Sequence, residues 1–237
     1  MGTTAQKLNK ILETKEAIRT AINNKGGTLT TTDTFASYPS AIDSLPSGGG
    51  DPLKEFLDET KDASYMFCGF SNNSYYTTWY NYLTKERLQK ILNYNTTSSV
   101  KNMRGMFYYC NKLTATPLIN TSSVTNMSNM FQNCINLKTI DISHMKITST
   151  SSANNFASNC YSLIKLIIRN MITIPIIASS SFNNCYHFTG TTDSTYNPQG
   201  LKDGRIYVPD DKVDALKTAT NWSKYADIIV PLSTLQE

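Results

Sequence analysis

Apolar residues recur along the middle of the chain at a nearly fixed interval. Cys110, Cys134, Cys160 and Cys185 stand 24, 26 and 25 residues apart (134−110, 160−134, 185−160). Each is followed three residues later by an apolar side chain: Leu113, Leu137, Leu163 and Phe188. Each is preceded by an apolar pair or its remnant: Met106-Phe107, Met130-Phe131, Phe156-Ala157 and Ser181-Phe182. The strings SSVKNMRGMFYYCNKL and SSVTNMSNMFQNCINL are one unit read twice. SSANNFASNCYSL and SSFNNCYHF are more degraded copies, and Tyr65-Met66-Phe67-Cys68 is the trace of an earlier one. A unit of this length cannot bury its own apolar face, whereas stacked copies share a continuous interior in which each touches only its neighbours. The expected core is therefore a set of ladders built from Met106, Phe107, Cys110 and Leu113, then Met130, Phe131, Cys134 and Leu137, then Cys160 and Leu163, then Cys185.

Within a unit, the apolar spacings of three and four in Met-Phe-x-x-Cys-x-x-Leu predict a helical turn. The alternation in Leu137-Lys-Thr-Ile140-Asp-Ile142 and in Leu163-Ile-Lys-Leu166-Ile-Ile168 predicts a short strand after it. Each repeat thus reads as helical turn, strand and Ser/Thr-rich return, with parallel strands about 4.8 Å apart. The fold class is α/β, a leucine-rich-repeat-like solenoid. A closing unit over about 204–237 follows. Ile206-Tyr207-Val208 is a strand ended by Pro209, and Asp210 or Asp211 is placed to cap a short helix. Val213, Leu216 and Ala219 face inward, and Trp222, Tyr225 and Ile228-Ile229-Val230 cover the open end. Residues Lys85 to Leu92 predict a short helix packing Leu88, Ile91 and Leu92.

A different pattern occupies the N-terminus. Thr3 to Asn24 predicts a separate helix, capped by Thr3 or Thr4 and stopped by Gly26-Gly27. Leu8, Ile11, Ile18 and Ile22 form a stripe that Leu12 widens and Lys15 interrupts. Phe35, Tyr38 and Ile42 form a second apolar group after a Thr-rich loop. Residues 46–52, with Pro46-Ser-Gly-Gly-Gly50, read as a flexible linker. The chain then divides into a helical attachment or oligomerisation module (1–45), the linker (46–52) and the repeat domain (53–237). The stripe has two readings, packing on its own domain or burial against other copies or a partner.

Composition narrows the function. Charged residues are only 17% of the chain, with a net charge of +4 and no basic stripe, so a nucleic-acid partner is not expected. The most apolar stretch, Leu163 to Ala178, contains Lys165, Arg169 and Pro175, and Met1 to Lys10 lacks an apolar segment. Neither membrane insertion nor export on its own signals is expected. Five cysteines cannot all pair internally. The ladder cysteines are read as small buried hydrophobes or as disulfide or metal chemistry; without a Cys-x2-Cys pair, packing is preferred. No nucleophile motif, phosphate loop or dinucleotide fingerprint occurs, and His144 and His187 stand singly. No catalytic, cofactor or metal residues are assigned, and an enzyme is not expected. Tyr75, Tyr76, Trp79, Tyr80 and Tyr82 lie in an aromatic-rich stretch that reads either as a cap on the first core layer or as a surface for a glycan or protein.

The string SSVTNMSNMFQNCINLKTIDIS resembles the BspA-like leucine-rich repeats of bacterial surface and phage proteins. GRIYVPDDKVDALKTATNWSKYADIIVPLS is similar to the unit that closes such arrays. The string QKLNKILETKEAIRTAINNKGG, with TFASYPSAI after it, resembles an N-terminal module of phage tail, baseplate and fibre proteins. These resemblances imply a bacteriophage virion structural or adhesion protein, assembled in the host cytoplasm and exposed on the particle. Its implied partners are other virion proteins, further copies of itself in a homotrimer, and a host-surface glycan or protein. A bacterial cell-surface adhesin is the alternative, and a polysaccharide-degrading enzyme is a third. Solution mass with and without residues 1–45 separates the readings of the stripe: an oligomer that falls to monomer marks an assembly helix, and an unchanged monomer marks a helix packed on its own domain.

Overall fold

Each repeat is built from consecutive turns whose backbone is shared with the next copy. The protein is described by a computed structural model at residues 4–24, 26–32, 57–58, 61–68, 85–92, 96–146 and 150–236. In the Met103–Leu113 copy the N–H groups of Met106, Tyr108, Cys110 and Leu113 donate back three residues, at 3.2, 3.0, 3.1 and 3.1 Å. The residues between them point the other way: Met103, Gly105, Phe107 and Tyr109 donate to the carbonyls of Asn126, Ser128, Met130 and Gln132 in the next copy, at 2.8 to 3.0 Å. The same alternation continues from Met127, Asn129, Phe131 and Asn133 to Ser152, Asn154, Phe156 and Ser158. Upstream, Ala63, Tyr65 and Phe67 donate to Asn102, Arg104 and Met106, so the trace at Tyr65–Cys68 is an earlier coil.

In the copies up to Cys160 the expected helical turn is therefore replaced by a string of β-turns, whereas the Cys185 copy does run into a short helix at Tyr186–Thr189. A helix would keep its N–H groups to itself, but here every second one crosses to the neighbouring coil. Left-handed residues set this alternation: Gly105 and Tyr109, Asn129 and Asn133, and Asn155 and Asn159, all with φ between 52° and 63°. Gly and Asn tolerate that region best, which is why Asn precedes the cysteine in three of the four copies.

Four parallel strands follow in the order β1 (Thr139–His144), β2 (Lys165–Asn170), β3 (Arg205–Val208) and β4 (Ile229–Pro231). Ile140, Leu166, Ile206 and Ile229 lie in register on the inner face and are all buried. Among the described residues, strands form in the later coils only. In the copy before β1, the stretch after Leu113 keeps a single bridge, Ala115 to Thr139, because Pro117 has no N–H to give a ladder. Threonine hydroxyls take over there. Thr116 Oγ1 accepts from Asp141 N–H (2.9 Å) and donates to Asp141 O (3.0 Å). Thr121 does the same with the backbone of His144 (2.9 and 2.6 Å). Thr97 pairs likewise with Asn120, at 2.9 Å in both directions. The Ser/Thr-rich returns are side-chain substitutes for a backbone ladder.

All eleven residues expected in the repeat core are fully buried. Phe67, Phe107 and Phe131 stack nearly parallel, 5.7 and 5.5 Å apart. Phe156 occupies the neighbouring position of its copy, so its ring meets Phe131 edge-on at 90°. Phe182 continues the column onto Trp222 and Tyr225 (5.9 and 5.6 Å). The ladder cysteines are free, and each thiol donates to a carbonyl of the previous coil: Cys110 to Phe67, Cys134 to Phe107, Cys160 to Phe131 and Cys185 to Ala157, at 3.1, 2.9, 3.0 and 3.2 Å. The Phe107, Phe131 and Ala157 carbonyls also accept the turn N–H of Cys110, Cys134 and Cys160, so the thiol fills the remaining lone pair. Burial pushes the Cys110, Cys160 and Cys185 thiols well up, keeping them protonated donors.

Helix α1 (Thr4–Asn24) ends where Gly26 takes φ 99° and Gly27 N–H returns to Ile22 O at 2.9 Å. Its Ile18 and Ile22 are 0% exposed, and with Ala21 and Leu29 they belong to one core cluster with the repeats. Those two isoleucines, expected on an assembly face, are thus covered by the chain itself. The side chains of Leu8, Ile11 and Leu12 lie outside the described residues, as do residues 33–56 with the predicted linker and Phe35, Tyr38 and Ile42. Helix α2 (Lys85–Ile91) buries Leu88, and Leu92 just after it is buried too; the Ile91 side chain lies outside the described residues.

Helix α3 (Tyr186–Thr189) lies in the Cys185 copy, and the closing segment carries α4 (Val213–Thr218). Val213 and Leu216 face inward as expected, and Ala219 packs against the core. Neither Asp210 nor Asp211 caps α4, whose cap position is Lys212 without a side-chain bond. Asp210 instead accepts from Ser233 N–H at 3.1 Å and pins the last turn of the chain. Three other side chains close the open edge of the last coil. Trp222 Nε1, Asn221 Nδ2 and Lys224 Nζ each donate, at 2.7 Å, to the carbonyls of Pro175, Ile177 and Ser179.

Two outcomes follow from these contacts. Asn159→Ala is expected to lose about 2 kcal/mol in urea unfolding, because alanine tolerates the left-handed backbone less well than asparagine and the amide bonds are cut; Asn159→Gly is expected to lose less, since only the bonds go. Hydrogen bonds from Ser233 hold the Asp210 carboxyl below its ordinary range, and Lys202 does so for Asp227. Groups with depressed folded values stabilise above their unfolded value of about 3.9 and lose that contribution as pH falls below it. Acid titration of Tm is therefore expected to show a drop below about pH 4 that is smaller in Asp210→Asn.

Candidate binding surface

The positions flanking the ladder cysteines form a strip along the turn side of the coils, half-buried at Tyr109, Asn159, Tyr161 and Tyr186, exposed at Asn184 and buried at Asn133. Immediately before the cysteines stand Tyr109, Asn133, Asn159 and Asn184. Asn184 Nδ2 donates to Asn159 Oδ1 (2.7 Å), and Asn159 Nδ2 donates to Asn133 Oδ1 (2.6 Å). This ladder exists because all three share the left-handed backbone (φ 58°, 61° and 63°) and so project alike. Immediately after the cysteines stand Asn111, Ile135, Tyr161 and Tyr186. The Tyr161 and Tyr186 rings stack at 5.2 Å and 10°, and Tyr196 leans on Tyr161 at 4.8 Å.

Tyr196 is delivered by the 190–200 loop, which buried Asn197 organises. Its amide Nδ2 donates to the carbonyls of Tyr186, Thr191 and Leu201 (3.3, 3.2 and 2.9 Å), and its Oδ1 accepts from Leu201 N–H at 2.9 Å. The His187 ring is held by the Asp203 carboxylate (2.7 Å) and the Tyr196 carbonyl (3.0 Å). Both its nitrogens are engaged, so it positions the loop and has no free nitrogen to act as a base. At the other end of the strip, Tyr108 meets Tyr65 at 6.4 Å and Tyr109 at 4.6 Å, and Tyr65 Oη accepts from Arg104 Nε at 3.0 Å.

The strip consists largely of neutral phenols and amides. Burial, and after it the neighbouring Tyr109, push Tyr108 up to about 12. Burial, and after it Tyr196 for Tyr161 and Asp193 for Tyr186, raise those two phenols as well. All three remain protonated at neutral pH, able to donate and accept. Tyr and Asn together give rigid apolar area with adaptable hydrogen bonding, the combination that antibody paratopes use.

Of the residues expected at a ligand surface, Tyr75, Tyr76, Trp79, Tyr80 and Tyr82 lie outside the described residues. Sequence reasoning missed Tyr161, Tyr186 and Tyr196. The first two were signalled by their common place one residue after the cysteine; Tyr196 had no local signal, since the loop alone brings it back. The asparagines were visible as a repeat feature without a role. Among the described residues no group of three or more His, Cys, Asp or Glu gathers as for a metal, and no helix is long and apolar enough to cross a membrane.

A family model described as Mycoplasma protein of unknown function, DUF285, matches residues 73–195. That is more than half of the 237 residues, and the chain belongs to this family. The matched span carries all four ladder cysteines. No curated protein and no solved structure matches the chain.

Proposed function

We propose that the chain is a leucine-rich-repeat-like solenoid acting as a non-enzymatic structural and adhesive protein of a bacteriophage particle. The coils project from the particle and bind the host surface through the tyrosine and asparagine strip. The single observation carrying the adhesive part is that strip: a rigid row of neutral hydrogen-bonding side chains, held by the backbone of successive coils and tied up by no catalytic arrangement. Attachment falls to the first half of α1, around Leu8, Ile11 and Leu12, since Ile18 and Ile22 are already covered by the chain. A homotrimer joined through that half, alongside other virion proteins, is the expected assembly.

The family's description as a Mycoplasma protein favours a second reading, in which the same scaffold serves at a bacterial cell surface. Gold-labelled antibody to residues 96–236, applied to purified particles and to uninfected cells, decides between the two. Label on particles supports the virion reading, label confined to cell envelopes transfers the protein to the second, and label on neither rejects both. Adsorption to host cells should fall about tenfold in a Tyr161→Ala/Tyr186→Ala variant, the loss of two interfacial aromatics. Unchanged adsorption would remove the strip from the account.

A further inference from the structure

The outer face of the sheet carries a second feature, which shares no residue with the tyrosine strip. A cleft of about 230 Å³ is lined by Leu118, Ile119, Asp141, Ser143, His144, Arg169 and Asn170. Its origin is the interruption at Pro117. Thr116 and Thr121 staple the coil to the backbone of Asp141 and His144, and between the staples Ile119 turns into the core while Leu118 is left exposed. Gln89 of α2 fixes the rim by accepting from Leu118 N–H at 2.7 Å. Leu118 itself is 58% exposed, an apolar side chain held out at the mouth of the recess.

The polar lining is pre-set. Arg169 grips Asp141 with both Nε (2.9 Å) and Nη2 (2.7 Å), a two-point contact that fixes the carboxylate plane. Both side chains stay partly open, at 47% and 33%. Ser143 Oγ is held by Thr121 N–H at 2.9 Å, and Asn170 is exposed at the end of β2. The His144 Nδ1 atom is buried without a hydrogen-bond partner. His144 also borders a much smaller cavity of about 10 Å³, and Lys146 borders only that one.

From this geometry we infer that the cleft is a binding site for one neutral pyranose ring of a surface glycan. The charges of Asp141 and Arg169 cancel within the cleft, so an anion would meet Asp141 and a cation would meet Arg169. A polyol suits both: the fixed carboxylate accepts from ring hydroxyls, Ser143 and Asn170 donate and accept, and Leu118 covers the apolar C–H face. The volume is below the roughly 300–1,000 Å³ of sites for drug-sized ligands, which limits the occupant to a single ring. A shallow site of this kind binds weakly, and gains strength only when many copies on one particle engage many sugars.

The inference goes beyond the adhesion reading and is tested separately from it. The ¹⁵N-labelled full chain is titrated with the methyl glycosides of glucose, galactose, mannose and N-acetylglucosamine, and with glucuronate and glucosamine as charged counterparts. At least one neutral glycoside is expected to shift the amides of Leu118, Ser143, His144 and Asn170 saturably in the millimolar range, with little dependence on salt. Asp141→Asn and Leu118→Ala should each weaken that binding about tenfold. Leu118 is exposed, so its variant keeps the test alive should Asp141→Asn unfold the protein. The inference is overturned if none of the four neutral glycosides moves those amides, if a charged sugar binds more tightly, or if the folded variants bind as the parent does. Sugar binding without label on particles or cells would sink the adhesion reading alone; label without sugar binding would sink this one alone.

Discussion

Every coil of this protein leaves half of its turn N–H groups unsatisfied until the next coil arrives. Buried amides without partners cost about 1–3 kcal/mol each, and the described interfaces carry two to four of these crossings, at 2.8 to 3.0 Å. That sum outweighs the conformational preference of any single residue in the repeat. It explains why the turns hold a left-handed residue at every fourth position in the middle copies, and why a tyrosine, Tyr109, accepts φ 62° where the other copies have asparagine. The stack comes before its parts: a lone copy would have neither its interior nor its backbone partners.

The recurring side chains follow from that constraint. Small buried thiols recur because a carbonyl on each coil has a second lone pair facing the next one, and a cysteine both fits beside a phenylalanine column and donates to it. Threonines recur in the returns because each hydroxyl replaces one donor and one acceptor where Pro117 or an irregular path breaks the ladder. Asparagines recur because they accept the left-handed backbone, and their amides then pair into a ladder of their own. In each case packing and hydrogen bonding are satisfied by one residue.

Both surface features derive from departures within the repeat. The tyrosine strip depends on positions beside the cysteines that the core does not use. The cleft lies where Pro117 interrupts the ladder between two threonine staples. The far end needs its own solution, and Trp222, Asn221 and Lys224 supply donors to three carbonyls that a further coil would otherwise have met.

The amino-acid sequence by itself determined the stacking, because period and burial go together: residues spaced about 25 apart with the same apolar character must share one interior, and Met106, Phe107, Cys110 and their counterparts were legible on that ground alone. It also located α1 and the closing segment, whose apolar spacings and, for α1, the Gly26-Gly27 stop are local. The tertiary structure decided what depends on neighbours far along the chain. A spacing of three and four describes a helical turn and a string of β-turns equally well, and only the bonds to the next coil select the second. Asp210 looked like a helix cap because its local context fits one, yet it was claimed by Ser233 from 23 residues away. Ile18 and Ile22 could have faced any apolar partner, and burial alone says which. Tyr196 and the cleft at Asp141 carry no periodic signal, since each arises where the regular path is broken.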